Sequence, residues 1–181
     1  MLSEPSPSLP NRLHVLAKEI LDELRDQPAA ASIILGGGVA LQHYCEYRDT
    51  RDIDAWWETS PVVEAESLLQ DVMERVVQRH GLTLRIRNWG ETQSYELQDA
   101  GQSVFSFQVA VRSVTLEAPL PSAWPPVKIE TFLDNLGAKM NALVELESRR
   151  PLTDISDEKS RASAWQVRTW TRNELSKVPT P

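Results

Sequence analysis

The sequence predicts an α+β fold with a mixed sheet, and three observations in its 181 residues carry that expectation. Apolar residues recur at spacings of three and four in separate early, middle and late stretches. Between the first two, the short apolar run Ile33-Ile34-Leu35 enters Gly36-Gly37-Gly38, and Asp52-Ile53-Asp54-Ala55-Trp56-Trp57 follows after a polar loop. From residue 82 the pattern changes to strict alternation with a turn in its midst. Helices and strands that first alternate, then a run of strands, then helices, describe an α+β architecture.

Taken in order, residues 1–10 hold three prolines and three serines and are expected to be a loose tail. A first helix starts near Asn11, with Leu13, Leu16, Ile20 and Leu24 on one face widened by Ala17 and Leu21, and Asp26-Gln27-Pro28 ends it. Residues 32–35 read as a short buried strand, 39–47 as a helix, 48–51 as a polar loop and 52–57 as a second strand. Ser60-Pro61 resembles an N-cap with proline at the first helical position. Val63, Leu68, Leu69, Val72, Met73, Val76 and Val77 then give a long helix that Gly81 stops. Residues 82–87 alternate as a half-exposed strand, and 94–98 with 104–111 form a hairpin about Asp99-Ala100-Gly101-Gln102, which residues 114–116 extend. Four prolines around Trp124 make residues 119–127 a crossing strap without regular structure. A helix over residues 131–147 shows Phe132, Leu133, Leu136, Met140, Leu143 and Val144 on one face, and a last one over 157–175 is anchored by Trp165 and Trp170. The expected organisation is a tail (1–10), a core (11–118), and a strap with C-terminal helices packed on that core (119–181).

Composition narrows the class. A hydrophobic share of 41% and a charged share of 25% suit a soluble globular chain with one proper core. The net charge of −7 opposes non-specific grip on nucleic acid, which depends on Lys and Arg facing phosphates, but leaves room for a local basic patch. Arg85 and Arg87 share a strand face and could form one, although a solvated sheet face is the plainer account. Cys45 is the single cysteine, so no internal disulfide forms, and a cytoplasmic location is expected. No run of apolar residues is long enough to span a membrane. His14, His43 and His80 lack zinc-ligand spacing with one another or with Cys45.

The chemistry centres on residues 33–57. On a strand, Asp52 and Asp54 point to the same side, with Ile53 on the other. Like charges that close repel, and a divalent cation is the usual way to offset them. The glycines lack both the dinucleotide fingerprint and the lysine of a P-loop, yet they let backbone N–H groups at a helix start approach a phosphate. Trp56 shares the aspartates' face and could stack on a base, with core or rim packing the simpler alternative.

Glycines and acids together resemble the signature of the polymerase-beta-like nucleotidyltransferase superfamily. More narrowly, Gly37-Gly38-Val39-Ala40-Leu41 and Arg48-Asp49-Thr50-Arg51-Asp52-Ile53-Asp54 resemble two blocks of the AbiEii/AbiGii toxin-like nucleotidyltransferases. Lys139-Met140-Asn141-Ala142-Leu143 is similar to that family's later lysine helix, and Asp154-Ile155 to the end of its last acidic block. The resemblance implies a nucleotidyltransferase fold and Mg2+-dependent transfer of a nucleotidyl group from an NTP to a hydroxyl of RNA, such as tRNA, or of protein. It also implies a toxin–antitoxin or phage-defence setting with a cognate antitoxin. On this resemblance Asp52 and Asp54 hold the metal, Gly37, Gly38, Arg48 and Thr50 bind the nucleotide, and Lys139 and Asp154 complete the catalytic set. The pattern also departs from the family. Pro151 and Leu146 stand where an acid and an arginine are usual, and residues 104–111 offer Ser106 and Gln108 in place of a third carboxylate, with Glu96 a possible substitute. A weakened or inactive relative that binds nucleotides or partners is therefore the alternative reading, and a scaffold in which the turn and the acids are purely structural is a third.

Overall fold

The computed structural model describes residues 5–45, 48–59, 61–112 and 115–148. The elements are α1 (Val15–Leu24), a 3-10 turn (Pro28–Ser32), β1 (Ile33–Leu35), α2 (Gly37–Gln42), β2 (Asp52–Trp57), α3 (Val63–His80), β3 (Thr83–Trp89), β4 (Thr92–Asp99), β5 (Gln102–Val111), β6 (Leu120–Pro121), β7 (Lys128–Ile129) and α4 (Phe132–Ser148). The fold is mixed α+β, with a seven-stranded sheet in the order β3-β4-β5-β2-β1-β7-β6. The β2–β5 and β1–β7 pairs are parallel and the others antiparallel, so the sheet is mixed, as the element order implies. The chain forms two compact units, Met1–Asn135 and Leu136–Pro181. Everything built below lies in the first.

Alternation sorts the strands into two faces. Ile53, Ala55 and Trp57 of β2, Phe105, Phe107 and Val109 of β5, and Tyr95 and Leu97 of β4 are buried together. The apolar stripes of α1 (Leu16, Ile20, Leu21, Leu24) and α3 (Leu69, Val72, Met73, Val76) join them in one core. Arg75 to Glu23 (2.7 Å) and His80 to Glu19 (2.9 Å) tie the solvent sides of those two helices together. The opposite face of the sheet is polar. Asp52 is in register with Ser106 and that in turn with Glu96, while Asp54 is in register with Gln108 and that with Ser94.

Several element limits differ from expectation, each for a local reason. α1 begins at Val15 rather than near Asn11, because His14 caps it: its Nδ1 accepts from the Leu16 N–H at 3.3 Å. The tail is partly tied down, since Ser8 donates from both its N–H and its hydroxyl to the His43 carbonyl (2.7 and 3.2 Å). α2 takes in Gly37 and Gly38 and stops at Gln42, ahead of the expected 39–47. α3 starts at Val63 behind an extended Val62 with no side-chain cap, so Pro61 precedes the helix instead of opening it. Gly81 does end it in the left-handed region (φ 66°). Thr115 and Leu116 are not in a strand. The strap, by contrast, contributes to the sheet. β6 and β7 pair with each other, and β7 runs parallel to β1, with Ile34 opposite Lys128 and Leu35 opposite Ile129. Trp124 is buried at the bend between them, and its indole N–H donates to Asp22 at 2.8 Å. The helix expected over 157–175 lies outside the described residues, as do Pro151 and Asp154.

Candidate functional site

Antiparallel pairing of β1 with β2 decides where the glycine turn goes. Leu35 sits opposite Ala55, and the Gly36 N–H donates to the Asp54 carbonyl at 2.8 Å. The turn after β1 is therefore laid across the start of β2. Gly37 has φ +56°, a conformation that side chains disfavour, and a Cβ there would collide with the Asp54 carboxylate. A Cβ on Gly36 would stand 2.5 Å from Trp56 Nε1 and 3.0 Å from Glu130 Oε1, and one on Gly38 would strike the Thr50 methyl. All three glycines are required by close approach. Asp54, Trp56 and Thr50 pack where side chains on the turn would be.

The expected site residues divide into two groups. Gly37, Gly38, Thr50, Asp52 and Asp54 are brought together. Asp52 is exposed and Asp54 half-buried, both on the polar face of β2. Thr50 is buried, and its hydroxyl donates to the Asp52 carbonyl at 3.1 Å, so it orders the approach to β2. Arg48 is exposed, and its carbonyl accepts from Gln42 Nε2 at 3.1 Å. Lys139 lies half-buried on α4 in the second unit, and Asp154 is outside the described residues.

A third acid does stand at the turn, but it comes from an unexpected place. Glu130, next to β7, is 3% exposed. Its Oε1 accepts from the Gly37 N–H (3.2 Å) and from Asn135 Nδ2 (2.5 Å), and its Oε2 accepts from Arg112 Nη1 (2.5 Å). Asn135 also donates to the Gly37 carbonyl at 2.8 Å. Arg112 reaches Asp134 Oδ1 at 3.4 Å and lies over the Trp56 ring, 5.4 Å from its centroid. Asp134 in turn accepts from the Leu116 and Glu117 N–H groups at 2.8 and 3.1 Å. Burial pushes the Glu130 carboxyl above its ordinary range, opposed by the Arg112 charge and by the bonds from Arg112, Asn135 and Gly37. A carboxylate so occupied has little left to offer a metal.

Glu96, weighed as a substitute acid, shares the face of Asp52 but stands two strands away, roughly 10 Å across the sheet. It pairs with Arg87 at 3.2 Å. Among the described residues no three His, Cys, Asp or Glu side chains gather closely enough to hold a metal ion.

Sequence reasoning missed Glu130, Asn135 and Arg112. One signal was present. Thr131-x-x-Asp134 at the start of an apolar run is a helix-capping pattern, and the Asp134 N–H does donate to the Thr131 hydroxyl at 3.2 Å. That pattern marks the buried helix start on which Asn135 rides. It carries no hint that this start meets residue 37.

No family model matches the chain, and no curated protein does. Among solved structures, a cytoplasmic RNA terminal U-transferase superposes on 74% of this chain with a TM-score of 0.29 and 11% identity. The aligned part is 36% of that protein, so this chain spans about a third of its length. A likeness that loose does not define a family. No helix among the described residues is long and apolar enough to cross a membrane.

Proposed function

We propose that this chain is a Mg2+-dependent nucleotidyltransferase that moves a nucleotidyl group from an NTP to a hydroxyl of RNA or protein. The observation that carries the reading is the meeting of Asp54 with Gly37: an acid from one strand seated on the glycine turn that leaves its neighbour. The resemblance of both blocks to AbiEii-like nucleotidyltransferases supports it, and supplies the setting of a toxin with a cognate antitoxin.

The donor set fits the ion. Two carboxylates on alternate residues of one strand are hard oxygen ligands, and Mg2+ is commonly held by one or two carboxylates plus substrate phosphates. When bound, the ion supplies charge neutralisation at the phosphates and orientation of the attacking hydroxyl. The chain's own residues set the stage around it. Asp52 offers its carboxylate from the solvent side, and Asp54 holds its own against the turn. The Gly36 and Gly37 N–H groups are spent on the Asp54 carbonyl and on Glu130, and Gly38 is buried beside the Thr50 methyl. Lys139 as a phosphate contact and Asp154 as the later acid rest on the resemblance alone.

Incubating the protein with labelled NTPs, Mg2+ and a pool of tRNA and protein tests this. Label should pass to an acceptor with the wild type and not with Asp52→Ala combined with Asp54→Ala. Absence of transfer, or transfer undiminished in the double variant, defeats the proposal. A second reading has its own observation. Ser106 and Gln108 stand beside Asp52 and Asp54 where another carboxylate would complete a metal site. A binding module predicts NTP or partner binding by calorimetry with no turnover at any Mg2+ concentration.

A further inference from the structure

We infer that Glu130 and Asn135 are positioning residues for Asp54, acting through the Gly37 peptide units. The inference rests on the metal-binding role proposed for Asp54, and adds to it the device that sets where that carboxylate sits. Gly37 is gripped from both sides: its N–H donates to Glu130 and its C=O accepts from Asn135 (3.2 and 2.8 Å). Asn135 also donates to Glu130, which closes a ring of three bonds, and Arg112 holds the far oxygen of Glu130. The orientation of the Asn135 amide follows from these bonds. Reversing it would set its oxygen against two acceptors, the Gly37 carbonyl and the Glu130 carboxylate.

This grip lies where the backbone needs it. Glycine takes positive and negative φ about equally readily, so it is the surrounding bonds that hold Gly37 at φ +56° in the first turn of this six-residue helix. Gly37 is in van der Waals reach of the Asp54 carboxylate, so a rotation of either Gly37 peptide unit moves the surface on which that carboxylate rests. Asn135 is fully buried and Glu130 nearly so, and both are held against the glycine turn by their bonds to Gly37. Both grip Gly37 directly, and through it they set the surface on which the Asp54 carboxylate rests.

The test uses Mn2+ alone as probe, its binding to the full chain followed by electron paramagnetic resonance beside thermal melts of each variant. Wild type should bind Mn2+ in a manner that Asp54→Ala abolishes. Asn135→Asp, which removes both donors, should weaken that binding at least fivefold. Glu130→Ala should do the same, while Glu130→Gln, which keeps an acceptor for the Gly37 N–H and Asn135 and gives up the Arg112 bond, should stay within about twofold of wild type. A merely structural role would lower the melting temperature of these variants and leave the Mn2+ affinity of the folded protein unmoved, and that result overturns the positioning role. If Glu130→Ala does not fold, the contrast of Asn135→Asp with Glu130→Gln decides alone. Should the wild type show no Asp54-dependent Mn2+ binding at all, the metal role of Asp54 fails first and the positioning role falls with it.

Discussion

Gly37 concentrates the residue-scale physics of this protein. Its left-handed backbone would cost an L side chain about 1–2 kcal/mol, and the Asp54 carboxylate occupies the place of a Cβ besides. Gly37→Ala is expected to destabilise by at least that amount and to displace Asp54, which a chemical melt and the Mn2+ titration check together. Gly81, with φ +66° and nothing near its missing Cβ, is the control: Gly81→Ala should cost the backbone strain alone. His43 makes a pH prediction. It is buried, its Nδ1 lies 2.9 Å from the Val39 carbonyl, and its Nε2 accepts from the Ala123 N–H at 3.4 Å, an arrangement for the neutral ring. Burial lowers its pKa below 6.5, and the same cause, seconded by Arg51, lowers that of His14. A lowered histidine pKa means the unfolded chain binds protons the folded one refuses. Stability is then undiminished above pH 6.5 and falls as pH drops through the interval down to the folded pKa. Glu130 acts in the reverse sense, since its raised pKa removes stability as pH rises through the range above 4.5. The clean readout is the difference in pH dependence between wild type and His43→Gln in urea melts from pH 7.5 to about 5. The slope should shrink in the variant, with a remainder from His14.

At the scale of elements, the strand β2 and the β4–β5 hairpin were readable because their information is local. Asp52–Trp57 alternates cleanly, and the turn residues Ala100 and Gly101 both have positive φ (46° and 81°), the pattern of a tight two-residue hairpin. Alanine is a poor occupant of that first position. Ala100→Asn should raise stability by about 0.5–1 kcal/mol, read as a higher denaturant midpoint at unchanged slope. β6 and β7 were not readable: two residues each, set among prolines, they have no period to detect. They exist because β1 offers an edge and Ile129 fills the core beside Leu35. Ile129→Ala should therefore cost about 2–5 kcal/mol, as for a buried aliphatic residue rather than a loop position, and a thermal melt distinguishes the two.

For the molecule as a whole, charge and topology act separately. A net charge of −7 predicts that random RNA binds more weakly than about 10⁻⁴ M at physiological salt, measured by filter binding, whatever acceptor is recognised specifically. Sequence alone determined the fold class, the apolar faces of α1 and α3, the shared face of Asp52 and Asp54, and the glycine turn as the centre of interest. Each of these is written in spacings of two to four residues, which fix the direction of a side chain relative to its own element. Tertiary structure decided which elements meet. The parallel pairing of β2 with β5 set Ser106 and Gln108 beside the two aspartates, and the antiparallel pairing of β3 with β4 brought Arg87 to Glu96. The docking of β7 on β1 carried Glu130 and Asn135 to Gly37 across 93 and 98 residues of chain. Contacts at that separation leave no period in the sequence, because the hydrogen bonds of Glu130 and Asn135 depend on the register of strands far from them in the chain. The acids of β2 were legible from their own strand; what holds them in place was not.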